Sequence, residues 1–226
     1  MKRDIITSAI GIIVFTLFCG IVYPLFITGV SQVAFPGNAN GQKIYVDGKL
    51  VGSKIIGQNF ADVVINKKTG KPEMSDGNPV TVPDPHYFQT RPSGTVPADN
   101  AAASSFANYG PNSVVTKEAL ETNIQAYIAL DKAPDGQPYY PGGLTAGKIP
   151  VDAVDTSASG IDPDISIANA DIQAYRIAAI RHLSLATVHQ LISKYTLGRG
   201  LGFSGEPGVD VLEVNLALNR LSPSTR

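Results

Sequence analysis

The sequence predicts a single N-terminal transmembrane helix followed by one soluble mixed α/β (α+β) domain. Three observations carry that reading. No charged residue stands between Asp4 and Lys43, and Ile5 to Ile27 holds fourteen Ile, Val, Leu and Phe residues. Between Lys117 and Tyr195, three segments repeat apolar residues with the period of a helix. Two others, Ile44–Val51 and Val209–Leu216, read as strands from their turn residues and their alternation.

The apolar segment is justified by length and by transfer energy. About 20 residues at about 1.5 Å each match the ~30 Å hydrocarbon core of a bilayer. Fourteen strongly apolar side chains contribute about −4 to −8 kcal/mol toward insertion, part of it offset by the interspersed Gly, Ser, Thr and Pro24. A buried core helix rarely runs so long without a charge. A cleaved signal peptide shares the basic start, but its apolar stretch is about 7–15 residues and ends at a small-x-small site. Here bulky Phe18 precedes Cys19, and the apolar run continues to Phe26. A retained anchor over residues 1–35 fits best. Lys2 and Arg3 precede the span, which puts the N-terminus in the cytoplasm and residues 36–226 outside as an extracytoplasmic domain. Pro24 removes a helix hydrogen bond and is expected to kink the outer third. Gly11, Gly20, Tyr23 and Pro24 are the candidates for packing against partner helices, because small residues and helix irregularities let helices approach closely in lipid. An ordinary anchor with tolerated glycines is the alternative.

Composition narrows the function classes. With 18 Lys+Arg against 19 Asp+Glu, the chain has no polybasic surface for nucleic acid. The single cysteine, Cys19, lies in the span, so the rest has neither disulfides nor thiolate metal ligands. Three histidines and no tryptophan leave little conventional catalytic material.

The following elements are expected in chain order. Ile44–Val51 reads as a hairpin turning at Asp47-Gly48. Lys54–Gly57 reads as a short strand. A long proline-rich loop, 66–111, contains one further strand at Tyr87–Ser93, and loops of that length usually bind or cover something. Thr116 is the expected cap of a helix over Lys117–Leu130, with Leu120, Ile124, Tyr127 and Ile128 as its apolar stripe. After a Pro/Gly-rich loop at 131–149, Ser166 caps a helix over Ala168–His182. Its inward face is predicted to be Ile172, Tyr175, Ala179, Ile180 and Leu183. Ser184 caps a helix to Tyr195 that carries Val188, Leu191 and Ile192, and Val209–Leu216 closes the domain as a strand.

Several motifs have to be weighed on their chemistry. Gly142 to Lys148 matches the GxxxxGK half of a phosphate-binding loop, but Ile149 stands where the Mg²⁺-ligating hydroxyl belongs and Pro150 follows. Gly200 to Gly205 matches GxGxxG, yet a helix rather than a strand precedes it, and the plain reading is a turn with positive φ angles. His182 and His189 lie about 10 Å apart along a helix, too far to share a metal ion, and His86 has no evident partner. Asp155 to Ser166 places Thr156, Ser157, Ser159 and Gly160 before a helix N-terminus, where free amides could hold an anion. A capped helix start with an Asp-Pro turn is the structural alternative.

Taken in order, the residues form a recognisable set. Tyr23-Pro24, Thr28-Gly29, Gln32, Phe35-Pro36, Ala39-Asn40-Gly41, Gly52-Ser53 and Ile56-Gly57-Gln58-x-Phe60 lead from the span. Phe88-x-x-Arg91-Pro92-Ser93, Asn108-x-Gly110-Pro111, Ser157-Ala158-Ser159-Gly160-x-Asp162-Pro163, Gln173, Arg176, Arg181, Gly205-Glu206-Pro207 and Val211-Leu212-x-x-Asn215-Leu216-Ala217-Leu218 complete it. Over nearly its whole length the chain resembles the KdpC family, the C subunit of the bacterial high-affinity potassium-transporting P-type ATPase.

The resemblance implies a non-hydrolysing, single-span subunit in the bacterial plasma membrane. Its partners would be a channel-like potassium-binding subunit, a P-type ATPase subunit and membrane lipid. It implies help with assembly and a catalytic-chaperone role that raises the ATP affinity of the ATPase subunit. No tightly bound cofactor is implied. A low-affinity ATP contact would fall at Val154, Ser157 and Ser159. The chain departs from the family pattern at Ser104–Asn108, at Asp164 after Asp162-Pro163, and at Asp155, where an added carboxylate disfavours a polyphosphate. A stand-alone, membrane-anchored extracytoplasmic binding protein or enzyme is the alternative function.

Overall fold

The computed structural model describes residues 1–104, 108–110 and 112–222. Most of the Ser104–Asn108 departure and Pro111 therefore lie outside the described residues. The chain forms two compact units, Met1–Ser53 and Lys54–Arg226.

The first unit begins with one helical run, Lys2–Ala34, none of whose apolar window is buried. At 33 residues and about 1.5 Å each it is about 50 Å long, ample for one crossing of a bilayer. It comprises α1 (Lys2–Leu17), a π turn (Phe18–Val22) and α2 (Tyr23–Ala34). The π turn explains how Pro24 is accommodated. Proline has no amide for the carbonyl of Gly20 and its ring would strike that group. The preceding turn widens instead, with the Tyr23 amide donating to Phe18 five residues back. Thr28 Oγ1 donates to the carbonyl of Pro24 at 2.8 Å. Phe35 leaves the helical region at φ −139°, and a short helix α3 (Pro36–Ala39) follows. Gln32 and Asn40 exchange side-chain hydrogen bonds across this corner at 3.0 and 3.3 Å. Next come β1 (Lys43–Val46) and β2 (Lys49–Ser53), paired antiparallel with Val46 opposite Lys49. Asp47 and Gly48, at φ 50° and 75°, make the expected tight turn.

The second unit is a mixed helix and strand body. β3 (Ala61–Val63) pairs antiparallel with β6 (Thr81–Pro83), and between them β4 (Met74–Ser75) pairs with β5 (Asn78–Pro79). The long predicted loop is thus partly a small meander. α4 (Val114–Leu130) follows Ser113 and starts three residues before the expected Lys117, with no side-chain cap. β7 (Asp164–Ser166) leads into α5 (Ile167–Ile180), capped by Ser166, and α6 (Leu185–Lys194) is capped by Ser184 as expected. The chain ends with β8 (Thr196–Leu197), β9 (Gly208–Asp210) and α7 (Val211–Leu221). The three strands form an antiparallel sheet in the order β7-β9-β8.

Several expectations are corrected. Lys54–Gly57 is not a strand; it turns, and the Gly57 amide donates to the carbonyl of Ile161. Val209–Leu216 is not one strand. It changes to helix at Val211, because Asp210 accepts the Glu213 amide at 2.7 Å and caps α7. Val211, Val214, Asn215 and Leu218, all buried, then follow helical spacing. Among the described residues of Lys54–Arg226 there are accordingly four α-helices rather than three. On α5 the buried apolar face is Ala170, Ile172, Ala174, Ile177 and Ala178, so Ile172 lies inside as expected, whereas Ala179 is exposed and Tyr175, Ile180 and Leu183 are half-buried. The buried arc also takes in Gln173 and Arg176, which no apolar stripe would place inside.

Tyr87–Ser93 is not a strand: it bends at Tyr87 and Arg91, and among the described residues no strand pairs with it. Two carboxamides take the place of a neighbouring strand. Asn215 accepts from the Phe88 amide and donates to its carbonyl, both at 2.9 Å. Gln173 does the same for Gln89 at 2.8 and 3.1 Å. Arg176 donates to the carbonyls of Pro85 and Tyr87, and Arg181 donates to that of His86 while its guanidinium lies 4.7 Å from the Tyr87 ring centroid. Phe88 is thereby inserted into the main core, against Ile165, Ala174, Ile177, Val209, Val214 and Leu218. A second cluster joins Ile149, Ala153 and Val154 to Leu120, Ile124, Tyr127 and Ile128 of α4, the stripe predicted from sequence.

Candidate functional site

The turn carrying Ser157, Ser159 and Gly160 is built from within. The Ser157 and Ser159 hydroxyls lie 3.0 Å apart. Ser157 Oγ accepts the Gly160 amide at 3.0 Å, Ser159 Oγ accepts the Ile161 amide at 3.3 Å, and Gly160 takes φ 72°. Both hydroxyls are therefore engaged by their own loop, as in other short serine turns. Arg91-Pro92-Ser93 braces the outside. Arg91 donates to the carbonyls of Asp155 and Thr156 and pairs with Asp162 at 3.4 Å, and Ser93 Oγ donates to the carbonyl of Gly160 at 3.0 Å. Gly57 fits against the same segment because a β-carbon there would meet the Asp162 carbonyl at 2.7 Å.

The helix N-terminus already carries an anion of its own chain. Asp152 occupies that place. Its carboxylate accepts from the Ser166 amide and hydroxyl, each at 2.8 Å, and from Asn169 Nδ2 at 3.0 Å, while Ser166 Oγ accepts the Asn169 amide. Asp152 stands fourteen residues before Ser166, so no local pattern pointed to it.

The turn borders a groove of about 290 Å³ against α4, lined among others by Tyr109, Leu120, Asn123, Val154, Asp155 and Ser157. Val154 and Ser157 are thus brought together, whereas Ser159 is exposed and outside the groove. Asn123, which sequence reasoning missed, donates to the carbonyl of Val154 at 2.8 Å. Its position one residue before the Ile124 stripe was the available signal. Among the described residues Asp155 is the one charged residue in the groove lining, and its carboxylate disfavours an anionic group there. Of the four span candidates, Gly20, Tyr23 and Pro24 are exposed and Gly11 is half-buried, with open space for a β-carbon at Gly11 and Gly20.

The remaining motif residues have local roles. Lys148 donates to the carbonyl of Gly143 and lies over the Tyr140 ring, and Pro150 is followed by a single 3-10 turn, Val151–Ala153, rather than by an α-helix. His86 has a partner after all, Asp84 Oδ1 at 2.8 Å, and His189 faces Asp171 at 3.1 Å. Among the described residues no group of three His, Cys, Asp or Glu side chains is placed to hold a metal ion.

Comparison with known proteins decides the family. The pattern described as KdpC, the c chain of the K+-transporting ATPase, matches residues 5–220. The chain belongs to the KdpC family. A KdpC subunit of a potassium-transporting ATPase from Methylococcus capsulatus is 41% identical over 211 residues, covering 93% of this chain and 94% of the relative. One from Koribacter versatilis is 38% identical over 223 residues, covering 99% and 97%. One from Herpetosiphon aurantiacus is 40% identical over 212 residues, covering 93% of each. Membership makes this KdpC chain a subunit of the Kdp ATPase complex, with catalysis residing in the ATPase partner subunit.

Proposed function

We propose that this chain is the accessory subunit that assists assembly of the potassium uptake complex and raises the ATP affinity of its ATPase subunit. Its direct partners are the channel-like potassium-binding subunit and the ATPase subunit. The N-terminus lies in the cytoplasm and the body of the chain outside the bacterial plasma membrane, following the basic pair Lys2-Arg3. The observation that carries the reading is the helix Lys2–Ala34, long enough to span and with no apolar residue buried by its own chain. Its whole surface is left for lipid and for neighbouring helices. Gly11, Gly20 and the π turn before Tyr23-Pro24 are the places where another helix can come closest.

The effect on ATP is transmitted through those contacts rather than by a triphosphate bound at Val154, Ser157 and Ser159. That groove offers a polyphosphate no cation, and it adds Asp155. The test is a purified complex assayed with and without this chain. Omitting the chain should reduce recovery of the assembled complex and raise the KM for ATP in what remains. Gly20→Leu should reproduce part of both effects, and Ser157→Ala with Ser159→Ala neither. A raised KM in the serine variants of a fully assembled complex would assign the ATP effect to the groove instead. Cleavage of the domain by protease added outside sealed inverted vesicles, whose outer face is the cytoplasmic one, would reverse the orientation.

A further inference from the structure

We infer that the arm formed by β8, the turn 198–207 and β9 is a docking finger. Its apolar tip, Leu201 and Phe203, seats in an apolar pocket of another protein subunit of the complex. This rests on the accessory-subunit reading above and adds a specific contact surface to it.

The arm is the Gly-rich motif that phosphate chemistry did not explain. Its base is fixed to the core: Thr196 faces Val209 and Leu197 faces Gly208 in the ladder, and Val209 is fully buried. Its tip is closed by two reciprocal hydrogen bonds between Gly200 and Ser204, both 2.8 Å. Arg199 and Glu206 clamp the two sides through a paired contact at 2.7 and 2.9 Å. Within that closed turn, Leu201 is 91% exposed and Phe203 75% exposed, and Leu197 is half-exposed on the same arm. Leu201 also stands in the left-handed region at φ 52°, an unfavourable conformation for leucine. Two large apolar side chains are therefore held outward on strained, hydrogen-bonded backbone with no return inside this chain. Such strain gathers at binding surfaces, and a paired Leu and Phe on a rigid projection is the form of a binding anchor.

Charge decides between a protein pocket and a lipid surface. Loops and helices that enter the headgroup region usually surround their apolar residues with Lys and Arg. Here Arg199 is neutralised by Glu206, and Lys194, just before the arm, lies over the ring of Tyr195. The arm is neutral around an apolar tip, which matches an apolar protein pocket with an uncharged rim.

The test replaces Phe203 with the photo-crosslinking residue p-benzoylphenylalanine in the full chain, illuminated within the complex purified through a tag on another subunit. Val96, 74% exposed, serves as the control position. A covalent adduct with another subunit, formed at 203 and not at 96, is the expected result. An adduct with lipid alone, an adduct with a second copy of this chain alone, or no adduct in an intact complex overturns the proposal. The double variant Leu201→Ser with Phe203→Ser should loosen retention of this chain about thirtyfold or more, as for loss of a binding hot spot. Its thermal unfolding should stay that of the parent, since neither side chain is packed. Failure of the unaltered chain to co-purify would instead defeat the accessory-subunit reading itself.

Discussion

Replacing Asp210 by asparagine should stabilise the protein at neutral pH. Asp164 and Asp210 face each other across β7 and β9. The Val211 amide donates to the carbonyl of Pro163, which makes the two aspartates a non-hydrogen-bonded pair, the closer of the two antiparallel spacings. Asp210 is only 1% exposed, and Oδ2 of Asp210 and Oδ1 of Asp164 are buried without a hydrogen-bond partner. Burial raises the pKa of both. For Asp210 it outweighs the Glu213 amide bond, is reinforced by the charges of Glu213 and Asp164, and is eased by Lys54, bringing the value to about 6. For Asp164 the neighbouring Asp162 adds to the rise. The folded state therefore binds protons more strongly than the unfolded state. The penalty is absent below the ordinary value of 3.8, grows between there and about 6, and is fully present above. At about 1.4 kcal/mol per pH unit it reaches about 3 kcal/mol. Asparagine keeps the oxygen that caps α7 and removes the buried charge. A gain of about 2 kcal/mol at pH 7.5 would raise Tm by about 4–8 °C for a domain of this size, with little change near pH 4. Far-UV circular dichroism melts of the full chain in detergent at both pH values measure this. A variant that is less stable at pH 7.5, or that keeps the parent's slope between pH 4 and 6, would refute the reasoning.

Asn215→Ala should destabilise by about 2–4 kcal/mol, because it strips partners from a buried amide and a buried carbonyl of Phe88; urea unfolding measures it. Gly57→Ala should cost about 1–3 kcal/mol, since its β-carbon would meet backbone oxygens of Ile161 and Asp162 that are not free to move aside. Asp152→Ala should lower Tm by several degrees through loss of the acceptor shared by Ser166 and Asn169, and the parent Tm in the variant would remove its assigned role.

The elements legible in the sequence are those whose determinants are local. The apolar run, the Asp47-Gly48 turn, and the caps Ser166 and Ser184 each act within about four residues, and each is found in place. The errors arise where distant residues decide. Val209 to Asn215 alternates like a strand, yet Asp210 with Glu213 three residues later is also a helix-start signal, and the cap prevails. Tyr87–Ser93 has strand character, but its partners come from Gln173 and Asn215, more than eighty residues away. For the candidate site, the turn itself was legible, whereas Asp152 and Asn123 reach it through tertiary contacts that no spacing encodes.

The placement of the residues that carry the family pattern bears on how the domain acts. Arg91, Ser93, Asp162, Gln173, Arg176, Arg181 and Asn215 all engage their side chains within the domain, on backbone groups, on one another or on the neighbouring side chains of Thr95, Asn169 and Asn219. Arg176 is the extreme case. It is buried with carbonyl and carboxamide acceptors and without an ion-paired carboxylate among its described contacts, and burial lowers its pKa to about 10. A cation so enclosed is costly unless each donor is satisfied, so its position fixes the path of residues 85–89 closely. The pattern thus specifies a tightly anchored segment and a braced turn rather than an open reactive centre. A subunit that works by shape needs such a frame, because a surface loop can present Leu201 and Phe203 at a constant position only if β9 beneath it does not shift. Weakening the frame at Asn215 should therefore reduce retention in the complex even though Asn215 is fully buried. Retention unchanged in a measurably destabilised Asn215→Ala chain would separate the frame from the docking surface and contradict this account.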